Sequence, residues 1–281
     1  MANKHDDNSK DIIDVEVIRT EIDKYKAPRY ERIFDKFLIA AIGCIPWVGG
    51  FIAAIAEMQN EETQEKRDDL RTKWVLEHQR KLKDLYETLS EMTERFKSFG
   101  SDVEERIQSP EYLSLVRQSF RTWDKSETED KRRYIFNLIT NSAGTRICSD
   151  DVVRLFADWI ELYHEAHFAV MREIHKNPGI TRYDIWTEIY GETPREDSAE
   201  ADLYKLLIRD LSTGGVIRQE RDTNALGQFI RKRPPRRRPA GQNTLESAFE
   251  DSKPYVLTEL GSQFIHYTMN EVVLRIEGSN K

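Results

Sequence analysis

Residues 37–56, FLIAAIGCIPWVGGFIAAIA, contain no charged residue and no Asn, Gln, Ser or Thr. This run constrains the fold more than any other stretch of the chain. Its mean hydropathy is roughly 2, in the range of membrane-spanning helices. Such a stretch leaves water, either for the protein interior or for a bilayer. Pro46 and Gly49–Gly50 interrupt its centre. Proline lacks the backbone donor and glycine relaxes the backbone, so a turn between two short helices is expected there.

Three arrangements accommodate the segment. In the first it is one transmembrane helix, since twenty residues rise about 30 Å. Residues 24–36 carry five cations and two anions, and residues 57–69 carry two cations and six anions. The positive-inside rule would then export residues 57–281, together with a free cysteine and a polyarginine run. In the second, 37–45 and 50–56 form a helical hairpin with arms of ~10–14 Å, too short to cross a bilayer. It lies re-entrant or interfacial, with Trp47 at headgroup level, and stays tucked away until triggered. In the third it is a permanently buried core hairpin. Ala40, Ala41, Gly43, Ala53, Ala54 and Ala56 permit close helix packing in either setting. The switchable hairpin is the favoured reading, with Phe37, Ile42, Pro46, Trp47, Phe51 and Ile55 as its membrane-directed residues.

The flanking sequence is of the opposite character. Of 281 residues, 33 % are charged and 38 % apolar, with a net charge of −7. That argues against a generally basic nucleic-acid coat. Cys44 and Cys148 are the only cysteines, too few for a disulfide scaffold, and a reducing compartment is expected. The polar N-terminus, MANKHDDNSKD, does not read as a secretory signal. Cytoplasmic localisation with inner-membrane association follows from these features together.

Helices account for most of the chain. Val75, His78, Leu82, Leu85, Leu89, Met92, Phe96 and Phe99 alternate spacings of three and four. They predict one long helix over 57–99, its seam packed within the chain or used for a coiled coil with a second copy or a partner protein. Ser109–Pro110 opens a helix over 110–122. Ser126 with Glu129 reads as a capping box for a helix to Ala143. Ser149 caps a helix over 150–176, and Thr181 one over 182–190. Asp197 with Glu200 reads as the box for 198–213. Strands are expected at 216–218 and 254–257, then a helix from Thr258 to about 276. The division is a tail 1–10, a helical domain 11–160, a second domain 161–276 with an insert at 221–253, and a tail 277–281.

The order helix, short helix, helix, GGVIRQ, insert, YVLTELGSQFI, helix resembles the winged helix-turn-helix superfamily over about 165–276. Gly215–Val216–Ile217 and Tyr255–Val256–Leu257–Thr258 with Gly261 carry the resemblance. It implies that the two strands form a wing and that Thr258 caps the last helix. It also implies that helix 198–213 occupies the place of the DNA-reading helix. The exposed start of that helix is acidic (Glu200, Asp202), and only Lys205 and Arg209 suit phosphate. The insert is long for a wing. Within it Arg231, Lys232, Arg233, Arg236, Arg237 and Arg238 put six cations in eight positions, and without them the net charge of −7 would be −13. The run suits nucleic-acid phosphate, anionic lipid or an acidic protein surface, or stays a solvated loop. Residues Asp130–Ser142 with Phe156 and Trp159 resemble bacterial phage-defence proteins of the abortive-infection alpha type over about 110–175. That resemblance implies a role in arresting an infected cell.

Enzyme chemistry finds little footing. There is no glycine-rich phosphate loop. Glu161 and His164 match half of a di-iron spacing and the second half is missing. His164, His167 and His175 fall short of a converging metal set. Neither cysteine has the cationic surroundings of an activated thiolate. No enzyme, cofactor or metal is expected. The fold class is mainly α, a helical bundle with a long helix and an apolar hairpin, followed by a winged helix with a two-stranded wing. The expected function is a switchable membrane-active effector of toxin or phage-defence type, its winged helix sensing or binding a partner. The alternative is a winged-helix nucleic-acid-binding regulator with a helical dimerisation domain.

Overall fold

The computed structural model describes residues 31–60, 68–97, 99, 101–221 and 247–269, with the isolated positions 224, 226, 228 and 230; the side chains of 31, 32, 52, 55–60, 68–74, 101, 102 and 104 are excepted. Among these residues there are eleven helices and one two-stranded antiparallel sheet, a mainly α fold. The described residues up to Glu161 belong to one compact unit and those from Leu162 onward to another.

The first unit opens with the apolar hairpin. Helix α1 (Glu31–Ile42) and helix α2 (Trp47–Asn60) replace any continuous span. The chain leaves α1 through Gly43 N–H to Ile39 O (3.0 Å) and Ile45 N–H to Ala41 O (3.1 Å). Pro46 follows and Trp47 begins α2, as the missing proline donor requires. The next helix, α3 (Asp68–Lys97), is shorter than expected. Residues 57–60 continue α2 instead, because the helical pattern of the second hairpin arm runs on into the first charged residues. Residues 61–67 are outside the described set.

The α3 seam from His78 through Leu82, Leu85, Leu89 and Met92 to Phe96 is buried. It packs against α1, α2 and α6 (Glu129–Gly144) within the chain. The buried part of this seam is thus taken up by helices of the same chain, while Leu76 of α3 keeps 55 % of its surface in solvent. Phe37 of α1 meets Phe96 at 5.4 Å between ring centres and Tyr112 at 6.2 Å. Short α4 (Ser101–Ile107), which periodicity did not suggest, leads to α5 (Pro110–Lys125). Ser109 caps α5 by accepting the Tyr112 amide.

The cap of α6 is Thr128, which accepts the Lys131 amide, rather than Ser126. Ser126 ends α5 instead, its hydroxyl donating to Thr122 O at 2.7 Å. Every residue of α6 from Tyr134 to Ala143 is buried, the polar Asn137, Thr140, Asn141 and Ser142 included, so no side of this stretch faces solvent. The expected helix 150–176 is two helices, α7 (Asp150–Leu162) and α8 (Glu165–Lys176). The break has a local cause: the His164 amide donates to the His167 Nδ1 at 3.1 Å, a side-chain cap that starts a new helix.

In the second unit α8 is followed by α9 (Arg182–Tyr190), α10 (Ala199–Thr213), β1 (Ile217–Gln219), β2 (Tyr255–Leu257) and α11 (Glu259–Thr268). Thr181 caps α9. Ser198, not Asp197, caps α10 through the Ala201 amide. Ile217 faces Leu257 and Gln219 faces Tyr255 in the ladder, which begins one residue later on each strand than expected. Ile180 adds a single bridge to Tyr255. Thr258 caps α11 by accepting the Gly261 amide at 2.9 Å, and its hydroxyl donates to Gly215 O at 2.6 Å. Two glycines are required here. Gly215 has φ +74°, and a Cβ on Gly261 would collide with the Val216 carbonyl. The core is formed by Phe168, Met171, Ile174, Tyr204, Leu207, Ile208, Leu211 and Phe264.

Candidate functional site: the apolar hairpin and the outer face of α10

The hairpin is two-faced. Phe34, Phe37, Leu38, Ala41, Ile42, Ile45, Val48 and Phe51 are buried in the first unit. Gly43, Pro46, Gly49, Gly50 and Ala53 are exposed, and Ile39 keeps 55 % of its surface in solvent. Within 37–56 these exposed positions carry no charge, and the exposed Lys36, one turn before Ile39 on α1, bounds them. Of the six residues expected to face a membrane, Phe37, Ile42 and Phe51 are core and Pro46 is exposed. The side chain of Ile55 is outside the described set.

Trp47, the first residue of α2, is tied to its neighbours. It is half-buried, and its indole Nε1–H donates to Asp124 Oδ1 of α5 at 2.6 Å. Its ring meets His78 of α3 edge-on at 4.9 Å and Phe51 at 6.2 Å. Asp124 and His78 were not singled out from the sequence. A carboxylate near the C-terminus of α5 gives no periodic signal, and His78 was read only as a seam position. Cys44, in the hairpin turn, has its thiol pKa pushed up to about 11, mainly by burial and partly offset by Arg121. It is protonated at neutral pH, not an activated nucleophile.

The cationic residues of the second unit divide in two. Lys205 lies 3.5 Å from Glu196 and 4.0 Å from Asp202, and Arg209 lies 3.7 Å from Asp210. Both thus have carboxylate neighbours, in keeping with the acidic start of α10. Arg231, Lys232, Arg233, Arg236, Arg237 and Arg238 are outside the described residues. Past that run the chain is held at Glu196, which accepts from the Ser247 hydroxyl and from the Ala248 amide (3.0 Å). Burial opposes ionisation of Glu196, but these two donors and Lys205 outweigh it and lower its pKa.

Other candidates resolve as structure. His167 is buried, its Nδ1 accepting the His164 amide and its Nε2 lying 3.8 Å from Asp210. Among the described residues no His, Cys, Asp and Glu group could hold a metal ion. A cavity of about 530 Å³ in the first unit is lined by Arg106, Arg146, Cys148 and Asp150 among others. Arg106 is already engaged there, donating to Ser142 O at 2.8 Å and to Asp150 at 2.6 Å. Among the described residues no helix is long and apolar enough to cross a membrane. The chain matches no protein-family model, no curated protein and no solved structure.

Proposed function

We propose that this protein is a switchable membrane-active effector of toxin or phage-defence type, its second unit a winged helix that senses or binds a partner. The observation that carries the proposal is the outer stripe of the hairpin. Ile39, Gly43, Pro46, Gly49, Gly50 and Ala53 are exposed on a segment with no charge. Among the described residues nothing covers those positions, and an interface between water and lipid suits them. The arms are too short to span, so the hairpin would enter one leaflet rather than cross the bilayer. The trigger would have to loosen Trp47 from Asp124 and His78.

The test is flotation with vesicles of defined anionic content, paired with dye release and growth arrest on expression. Vesicle binding that depends on the hairpin stripe supports the proposal. A chain that stays with the soluble fraction at every lipid composition and arrests no growth overturns it. The nucleic-acid reading retains one observation in its favour, the cationic run between β1 and β2. Lys205 and Arg209, each beside a carboxylate, leave helix α10 poorly suited to phosphate, so that reading now depends on the run alone.

A further inference from the structure

Helix α10 buries Ala201, Tyr204, Leu207, Ile208 and Leu211 in the second unit. Its other side is unusual for a solvent face. Leu203 is 52 % exposed and Leu206 38 % exposed, and Ala199 is exposed beside them. At 100° per residue, 199, 203, 206 and 210 fall within a band of about 60°. Two leucines on one stripe, with Ala199 at its start and the partly exposed Asp210 at its end, make a short helix-packing surface.

The charges on the flank of this stripe select its occupant. Asp202 and Arg209 are seven residues apart, so they project within about 20° of each other, two turns apart. Both are well exposed, with 76 % and 71 % of their side chains in solvent. An acid in the first half and a base in the second half are self-complementary in an antiparallel pair, where the same flank of each helix meets. Placing a two-fold axis between Leu203 and Leu206 sets Leu203 of one copy against Leu206 of the other. Asp202 of one copy then lies about 3 Å along the axis from Arg209 of the other, at 1.5 Å per residue. A parallel pair would instead carry the two charged flanks to opposite edges of the contact, where they do not meet. A nucleic-acid duplex meets Glu200 and Asp202 first, and a cationic partner meets Arg209. The loose contacts of Asp202 with Lys205 and of Arg209 with Asp210 are exposed pairs that exchange readily.

We infer that α10 is a self-association surface that takes a second copy of this chain, antiparallel, through Leu203, Leu206, Asp202 and Arg209. The inference goes beyond the membrane reading and is independent of it. One helix pair covers less than the ~1,600 Å² of a stable complex, so the dimer is weak and depends on concentration.

Sedimentation velocity of the full chain over a dilution series tests it. The wild type should shift from monomer to dimer as concentration rises. Leu203→Glu should hold it monomeric. Asp202→Arg and Arg209→Asp should each raise the dissociation constant about fivefold or more, and the double variant should restore it. All four positions face solvent, and far-UV circular dichroism checks that α10 persists. The charge swap keeps the test decisive should the glutamate variant misfold. A wild type that is monomeric throughout overturns the inference. So does a dimer that survives Leu203→Glu, or a double variant as weak as the singles. A monomeric wild type that shifts duplex DNA, with the shift lost in Leu203→Glu, would assign the face to nucleic acid and equally overturn it.

Discussion

Replacing Ile39 by lysine separates membrane contact from folding in a way that Trp47 does not allow. Ile39 lies on α1 between the buried Leu38 and Ala40 and exposes 55 % of its surface. Full burial of an isoleucine side chain is worth about 1.5–3 kcal/mol. Roughly half of that remains to be gained if the outer stripe enters lipid, about 0.8–1.5 kcal/mol. A lysine loses this gain and adds a cost of up to ~2.5–3.5 kcal/mol near the bilayer centre, less at the interface. Even an interfacial position should therefore lower vesicle partitioning about tenfold, since about 1.4 kcal/mol is a decade. The fold should hardly register the change, because an exposed helix position tolerates substitution within about 0.5 kcal/mol. The assay is vesicle flotation with dye release, paired with thermal denaturation. Lost release at an unchanged melting temperature is the expected result. Undiminished release at equal lipid concentration would refute the reasoning, as the exposed stripe would then have no contact with lipid.

Three further outcomes follow. Trp47→Phe keeps an aromatic ring but removes the donor to Asp124; it should cost about 1–3 kcal/mol of stability and raise dye release, measured by denaturation and leakage together. Neutralising Arg231, Lys232, Arg233, Arg236, Arg237 and Arg238 should leave the melting temperature unchanged; duplex DNA binding by the wild type, where measurable, should show a log–log salt slope of about −0.9 per neutralised phosphate, and the variant a shallower one. Burial lowers the pKa of His167, with Asp210 opposing it and His164 adding to it. The unfolded chain therefore binds more protons than the folded one just below the ordinary imidazole value of about 6.5, and stability falls as pH drops through that value. His167→Gln, which keeps an acceptor for the His164 amide, should flatten melting temperature against pH between about 5 and 7 relative to wild type.

Much of the helical order was legible because caps and periodicity coincide. Ser109, Thr181 and Thr258 each precede their helix and each accepts an amide in its first turn. The heptad seam of α3 read correctly as apolar from Leu82 to Phe96. Errors fell where two candidates for a cap stood close together. Ser126 and Thr128 both precede α6, as Asp197 and Ser198 both precede α10, and only the register of the helix chooses between them. The α7–α8 break rests on a histidine acting as acceptor, outside the usual cap residues. Apolar periodicity runs through it from Val153 to Ile174, so a continuous helix was the natural expectation.

The hairpin shows why sequence alone leaves function open. An uncharged segment of this kind reads the same whether it is core, interfacial or spanning, because hydropathy averages over both faces of each helix. The structure separates those faces: Phe37 and Phe51 are 1 % and 2 % exposed, while Ile39 is 55 % exposed. The same separation operates on α10, where Leu207 is buried and Leu203, one turn earlier, stands in solvent. The two are offset by only about 40° around the helix, and that offset carries one of them across the edge of the core. In both helices the buried leucines and phenylalanines satisfy folding without help from their exposed neighbours. Their exposed neighbours are free to make contacts outside the fold. On the readings proposed above, the contact is lipid for an uncharged hairpin segment, and another copy of the same helix where an acid and a base share one flank.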